Sequence, residues 1–262
     1  MLSYSNYPFI FEIVGKVEHI TFQFVCDRSD KKRLQSQIKA YFPSVICTAI
    51  DIDTFGFNRN RNIAICDFGV NDEFVRPIAT SDNFNIDPLT SIIATFDSLQ
   101  NDEVAVFQML FKGISSPLAS DIPYSVSDGR GGSFFEGSPE MLLCAKDKIA
   151  NSLFSVVLRI ASQGRNDRQS QSIATELARN ISQVSSSGFN KLIPLSNEGY
   201  SYDFHEYNLH QRLSNRLGFI LNAKELSTFC HYPNKTVVSQ KLQSNQGKTK
   251  DAPSSVRNQK YL

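Results

Sequence analysis

Two aspartates, Asp51 and Asp53, stand one residue apart at the end of a β-prone stretch, residues 45–52. On an extended strand, residues i and i+2 share a face. The two carboxylates would then project together, as a pair of Mg²⁺ ligands does in a palm-type nucleotidyltransferase or nucleotide cyclase. The plainer alternative is that Asp53 ends the strand and opens the turn into Gly56, and no glycine-rich phosphate loop accompanies the pair. The four histidines offer less. His205 and His210 are five apart, which puts them on different faces of a helix and matches no zinc spacing. Asp203 could orient His205 as a base, but no partnered nucleophile stands beside them, so a structural or surface role is simpler. Cys230 and His231 are adjacent, and their side chains diverge on a helix.

Gly247-Lys248-Thr249 has the ending of a nucleotide-binding P-loop, yet the position of that loop's first glycine is Leu242 and no apolar strand precedes it. The resemblance to a P-loop is a chance one. Six Lys or Arg and one acidic residue from Lys235 onward give this tail a charge of +5, against +1 for the whole chain. It reads as a solvated connector that could also contact DNA without sequence preference. Arg59 and Arg61 in one turn, with Lys248 and Lys250 in the tail, are the best basic candidates for such contact. An RNA-recognition sheet is disfavoured, because residues 62–69 carry aliphatics where that motif stacks bases on aromatics.

These residues need elements to position them. Residues 17–26 alternate and predict a strand, residues 30–41 a helix ended by Pro43, residues 45–52 a second strand and residues 63–68 a third. Asp87 and Pro88 open a helix with apolar positions Leu89, Ile92, Ile93, Phe96 and Leu99, and residues 104–111 make a fourth strand. The order βαββαβ predicts a ferredoxin-like lobe over residues 11–112. Residues 113–148, rich in Gly, Pro and Ser, read as a mobile crossover. A strand at 153–161, a long amphipathic helix at 166–185, short strands near Leu192 and at 217–221, and a terminal helix predict a second, degenerate α/β lobe over 149–234. A basic linker follows over 235–262. The fold class expected is α+β.

At 262 residues, with 41% hydrophobic and 20% charged residues, the chain can bury one large core or two ordinary ones. No window is long and apolar enough for a membrane helix, and the N-terminus lacks the basic and apolar regions of a signal peptide. Five widely spaced cysteines, none in a C-x-x-C pattern, read as reduced thiols in a cytoplasmic protein.

Four phrases read together carry a resemblance: Ser36-Gln-Ile-Lys-Ala-Tyr-Phe-Pro43, Asp87-Pro-Leu-Thr-Ser-Ile-Ile93, Asn101-Asp-Glu-Val-Ala-Val-Phe-Gln108, and Leu221-Asn-Ala-Lys-Glu-Leu-Ser-Thr-Phe-Cys-His-Tyr-Pro233, followed by Lys248-Thr-Lys-Asp-Ala-Pro253. Together they resemble the N-terminal region of HerA/FtsK-type DNA-translocating ATPases, including the coupling proteins of conjugative type IV secretion and phage-defence motors. In such proteins this segment precedes a linker ending in Ala-Pro and then the Walker A domain. The resemblance implies an accessory module of a hexameric ring, acting in oligomer assembly, partner docking or DNA guidance, with its own motor domain or other copies of itself as partners. It implies no catalytic, cofactor or metal residue in this chain, with ATP and Mg²⁺ belonging to the motor domain. The alternatives are the Asp51/Asp53 nucleotidyltransferase or cyclase and a standalone protein-interaction module.

Overall fold

The computed structural model describes residues 7–43, 45, 47–49, 55–114, 118–234 and 236–242. Its elements in order are β1 (Phe9–Gly15), β2 (Ile20–Val25), α1 (Arg28–Tyr41), β3 (Ala64–Val70), α2 (Thr90–Asp97), β4 (Val104–Gly113), α3 (Leu118–Val126), α4 (Met141–Ile149), β5 (Leu153–Gln163), α5 (Asp167–Ser185), β6 (Leu192–Pro194), α6 (Tyr202–Gln211), β7 (Phe219–Asn222) and α7 (Ala223–Phe229). The class is α+β, built on one seven-stranded sheet in the order β2-β1-β4-β5-β3-β6, with β7 pairing β5 beside this path. Every strand pair in it is antiparallel.

Alternation along the strands sets two faces. Phe11, Ile13, Phe107, Met109, Leu158 and Ile160 point to one of them and pack under Ile92, Ile93 and Phe96 of α2, Ile173, Leu177 and Ile181 of α5, and Phe229 of α7. Val14, Ile65, Val104, Val106 and Ala161 point to the other, where Leu209 of α6 and Phe55 cover them. Each such side chain, fully buried, contributes about 1.5–3 kcal/mol. Local signals place the helices. Asn166 caps α5 by accepting from Gln169 N–H, and Ile173, Leu177 and Ile181 follow at helical spacing on its buried stripe. Asn222 and Glu225 form a reciprocal capping box at α7.

The strand pairing corrects the ferredoxin-like expectation. That topology would put residues 64–70 between the first and second strands of the lobe, with the first strand paired directly to the fourth. Instead β1, from the apolar run Phe9-Ile-Phe-Glu-Ile-Val-Gly15 that the sequence reading did not count as a strand, takes the place between β2 and β4. β3 lies on the far side of β5. The physical reason is length: β5, at eleven residues, pairs with ten residues of β4 along one edge and with β3 and β7 along the other. Of the strand expected at 45–52, residues 45 and 47–49 are not extended in any ladder and the others lie outside the described residues. Between the strands expected near Leu192 and at 217–221 the chain forms a helix, α6. The crossover expected over 113–148 contains α3 and α4, which bury Ile122, Val126, Met141, Leu142 and Ala145 against Val75 and Leu153. Among the described residues, no helix is long and apolar enough to cross a membrane.

Candidate functional site

Five polar residues lie opposite one another across five neighbouring strands on the face covered by α6. Gln23 faces Glu12, Glu12 faces Gln108, Gln108 faces Arg159, and Arg159 faces Asp67. Glu12, Gln108 and Arg159 are wholly buried and Asp67 nearly so. Isolated buried charges are too costly to persist, so each must be paired and hydrogen-bonded. Glu12 accepts from Gln23 Nε2 at 2.6 Å and from Gln108 Nε2 at 2.8 Å. Arg159 donates from Nη1 to Gln108 Oε1 at 3.2 Å and from Nε to Asp67 Oδ1 at 2.7 Å.

α6 and the chain after it close the row from above. Gln108 Nε2 also donates to Leu209 O, and Arg159 Nη2 to Leu213 O. Arg212, in the left-handed region at φ 58°, turns its guanidinium back under the helix onto Glu12, with Nε 3.0 Å from Oε1. Holding a side-chain-bearing residue there costs about 1–3 kcal/mol; the buried ion pair offsets it. His205 places Nε2 2.9 Å from Asp67 Oδ2, and Arg216 places Nε 3.1 Å from the same oxygen while its guanidinium lies 4.3 Å over the Tyr200 ring. Burial alone would raise the Asp67 pKa, but contacts with His205 and Arg159 outweigh it and hold the carboxyl below its ordinary value. Beside it, burial pushes the Cys66 thiol up to about 11, so it stays protonated at neutral pH.

The row ends at a cavity of about 320 Å³. Among the described residues, β6 pairs with residues 68–70 of β3 and no strand covers the edge of β3 before them. Side chains stand in for the missing strand there. Tyr202 Oη accepts from Ile63 N–H at 2.8 Å, and Asn197 Nδ2 donates to Ile65 O at 2.8 Å. Asn62, Asp167, Ser170, Gln171 and His205 complete the wall.

A second arrangement involves the chain after α7. His231 Nε2 and Asn234 N–H reach the two oxygens of Asp87 at 3.0 and 2.7 Å, and Asp87 Oδ1 also accepts from Leu89 N–H ahead of α2. Ser239 Oγ donates to Asp97 at the far end of α2, and Lys241 Nζ to the carbonyls of Phe96 and Leu99. Ile20 N–H donates to Lys241 O, and Leu242 makes a parallel bridge to Ile20 at the edge of β2. Residues 231–234 and 236–242 therefore form a strap laced to both ends of α2 and to the sheet.

Of the residues singled out in the sequence, Asp51, Asp53, Lys248 and Lys250 lie outside the described residues, as does Gly247-Lys248-Thr249. Arg59 is exposed, and Arg61 reaches Asp102 at 3.7 Å, in a loop pinned by Gln163 hydrogen bonds to Asn58 and Arg61. The carboxylate that orients His205 is Asp67, from β3, rather than the neighbouring Asp203. His210 packs on Phe55 and Phe57. Among the described residues no group of three or more His, Cys, Asp or Glu is arranged to hold a metal ion. Sequence reasoning missed the row itself. Its signal was a polar residue with apolar neighbours on both sides in each of several strands: Glu12, Asp67, Gln108 and Arg159.

Residues 7–121, less than half the chain, match a family model described as Domain of unknown function (DUF8128). The match spans β1 through the first turn of α3. No curated protein and no solved structure matches the chain.

Proposed function

We propose that this chain is a non-catalytic docking module of a HerA/FtsK-type DNA-translocating ATPase, acting in assembly of the ring or in seating a partner on it. The observation that carries this reading is the strap. The strap takes in the end of the phrase that resembles the segment before the motor's linker, and it is fixed to α2 and β2 rather than held only by α7. A module tied to its connector in this way passes force and orientation to what the connector joins. The buried charges support the same reading. Glu12, Asp67, Arg159 and Arg212 stabilise the sheet by pairing with one another, and Lys148 pairs with Glu225 beneath α7 at 2.8 Å.

In this role the chain hydrolyses no ATP by itself and joins a six-membered ring through its own motor domain or further copies. Native mass spectrometry of the chain, co-expressed with the ATPase encoded in frame with it or beside it, tests the proposal. A complex carrying six copies, with ATP turnover confined to preparations that contain the motor, is the expected result. ATP turnover by the chain alone, or a genomic neighbourhood without any Walker A protein, overturns it.

A further inference from the structure

The cavity at the open edge of β3 has no part in that role, and its chemistry defines what it can hold. Its volume of about 320 Å³ lies at the lower end of the roughly 300–1,000 Å³ typical of ligand pockets. Among the described residues that line it none is Lys or Arg, and the exposed Asp167 stands beside it, so a phosphate or sulfate finds no counter-charge there. A cation is disfavoured as well. Behind the wall, three guanidiniums (Arg159, Arg212, Arg216) face two carboxylates (Glu12, Asp67). The ligand that fits is uncharged.

The lining groups specify its shape. The floor is the strand edge Ile63-Ala-Ile65, flat and apolar apart from backbone groups, and the Tyr202 ring lines the cavity beside it. His205 is 97% buried and reaches the cavity with its Nε2 edge turned to Asp67. Among the described residues its other ring nitrogen, Nδ1, makes no hydrogen bond, and it can donate or accept according to the tautomer. Gln171 and Asn62 are exposed amides at the mouth, each able to donate and accept. A flat ring with N–H donors and ring acceptors on its edge matches this set, because side-chain amides pair with such edges and aromatic rings stack on their faces. A sugar, which needs hydrogen bonds on all sides, does not match the apolar floor.

We propose that this cavity is a binding site for an uncharged nucleobase, with His205 Nδ1 hydrogen-bonding to one group of the base edge and Gln171 and Asn62 reading the rest. The base could belong to a free nucleoside or to an unstacked nucleotide of a single strand, whose phosphates would stay outside the mouth. Isothermal titration of the full chain with adenosine, guanosine, cytidine and uridine tests the site, with ATP and a short single-stranded oligonucleotide as further arms. Saturable binding of at least one nucleoside is expected, weakened about tenfold by Gln171→Ala or Asn62→Ala, each removing a hydrogen bond from an exposed residue. Competition between that nucleoside and the oligonucleotide assigns the site to bases in a strand; nucleoside binding alone assigns it to free nucleosides. Absence of binding by all four nucleosides overturns the proposal. So does ATP binding tighter than adenosine, or affinity unchanged in both variants. Loss in His205→Asn counts only if its thermal unfolding matches that of the parent chain.

Discussion

Removing Asp67 should cost this protein more than removing any exposed charge. Its carboxylate meets Arg159, which is wholly buried, and lies within 3.1 Å of the Arg216 Nε. Taking one partner from a buried pair leaves the other uncompensated, typically at about 3–5 kcal/mol. Asp67→Asn keeps the shape and one acceptor, so we expect a loss near the lower figure, about 3 kcal/mol, in urea unfolding at pH 7. The pH dependence follows from the direction of the shift. The folded-state pKa is depressed below the ordinary 3.8, so the stabilisation is present in full above that value and is lost as pH falls through the folded pKa. The gap between the parent and Asp67→Asn should therefore narrow on acidification below about pH 4; a gap constant down to pH 2 would contradict the assignment. The members of the row are visible in the sequence as polar residues flanked by apolar ones within strands. What joins them is register across four ladders, including a contact 92 residues apart between Asp67 and Arg159, and no local pattern encodes that. For the same reason, proximity in sequence pointed to Asp203 as the partner of His205 when the partner is Asp67.

Local signals predicted the elements well wherever caps and stripes agreed. α5 runs from its Asn166 cap through an apolar stripe that is buried as spaced. α1 shows the limit of this: Leu34, Ile38 and Tyr41 share one stripe of the helix, yet Tyr41 is 76% exposed and the only buried residue of the helix is Asp30. The strap was read as the end of a helix and the start of a solvated linker, because its contacts run to residues about 140 positions earlier. Asp87 both receives Leu89 N–H ahead of α2 and holds the strap. Asp87→Ala should then destabilise by about 1–3 kcal/mol, because a buried acceptor that serves both the turn ahead of α2 and the strap is lost. It should also speed hydrogen exchange at Ile20 N–H, which donates to the strap at Lys241, by at least about tenfold, while the amide of Leu158 in β5 stays protected. Equal acceleration at both amides would mean global rather than strap opening. Burial raises the Asp87 pKa, but His231 and the N–H groups of Asn234 and Leu89 together hold it below the ordinary value. The strap therefore loosens as pH falls through that lowered pKa. Packing at the opposite end of α2 is as strict. A Cβ added at Gly15 would lie 2.2 Å from Phe96 Cδ1, whose side chain is fully buried. Gly15→Ala should cost about 1–3 kcal/mol by overpacking, measured by thermal or urea unfolding; a neutral result would show that Phe96 can move aside.

The whole molecule hangs on β5. That strand pairs β4 over ten residues, Val104 with Gln163 through Gly113 with Phe154, and carries β3 and β7 on its other edge. The sheet therefore runs through the boundary that composition suggested at 113–148, and Arg159, which completes the polar row, comes from beyond it. The segment matched by the family model, residues 7–121, includes β1 to β4 but no residue of β5. Cut out alone, it would leave β4 as an open edge, strip Phe107 and Met109 of their neighbours Leu158 and Ile160, and leave Asp67 and Gln108 without the guanidinium they share. A long apolar edge strand with unpaired N–H and C=O groups is an aggregation site. Residues 7–121 expressed alone should be insoluble or, in dilute solution, lack the near-ultraviolet dichroism of packed aromatics. The full chain should lose its far- and near-ultraviolet signals in one coincident urea transition. A soluble, cooperatively folded 7–121 fragment would show that β4 finds another partner and that β5 is an addition to the core rather than its centre.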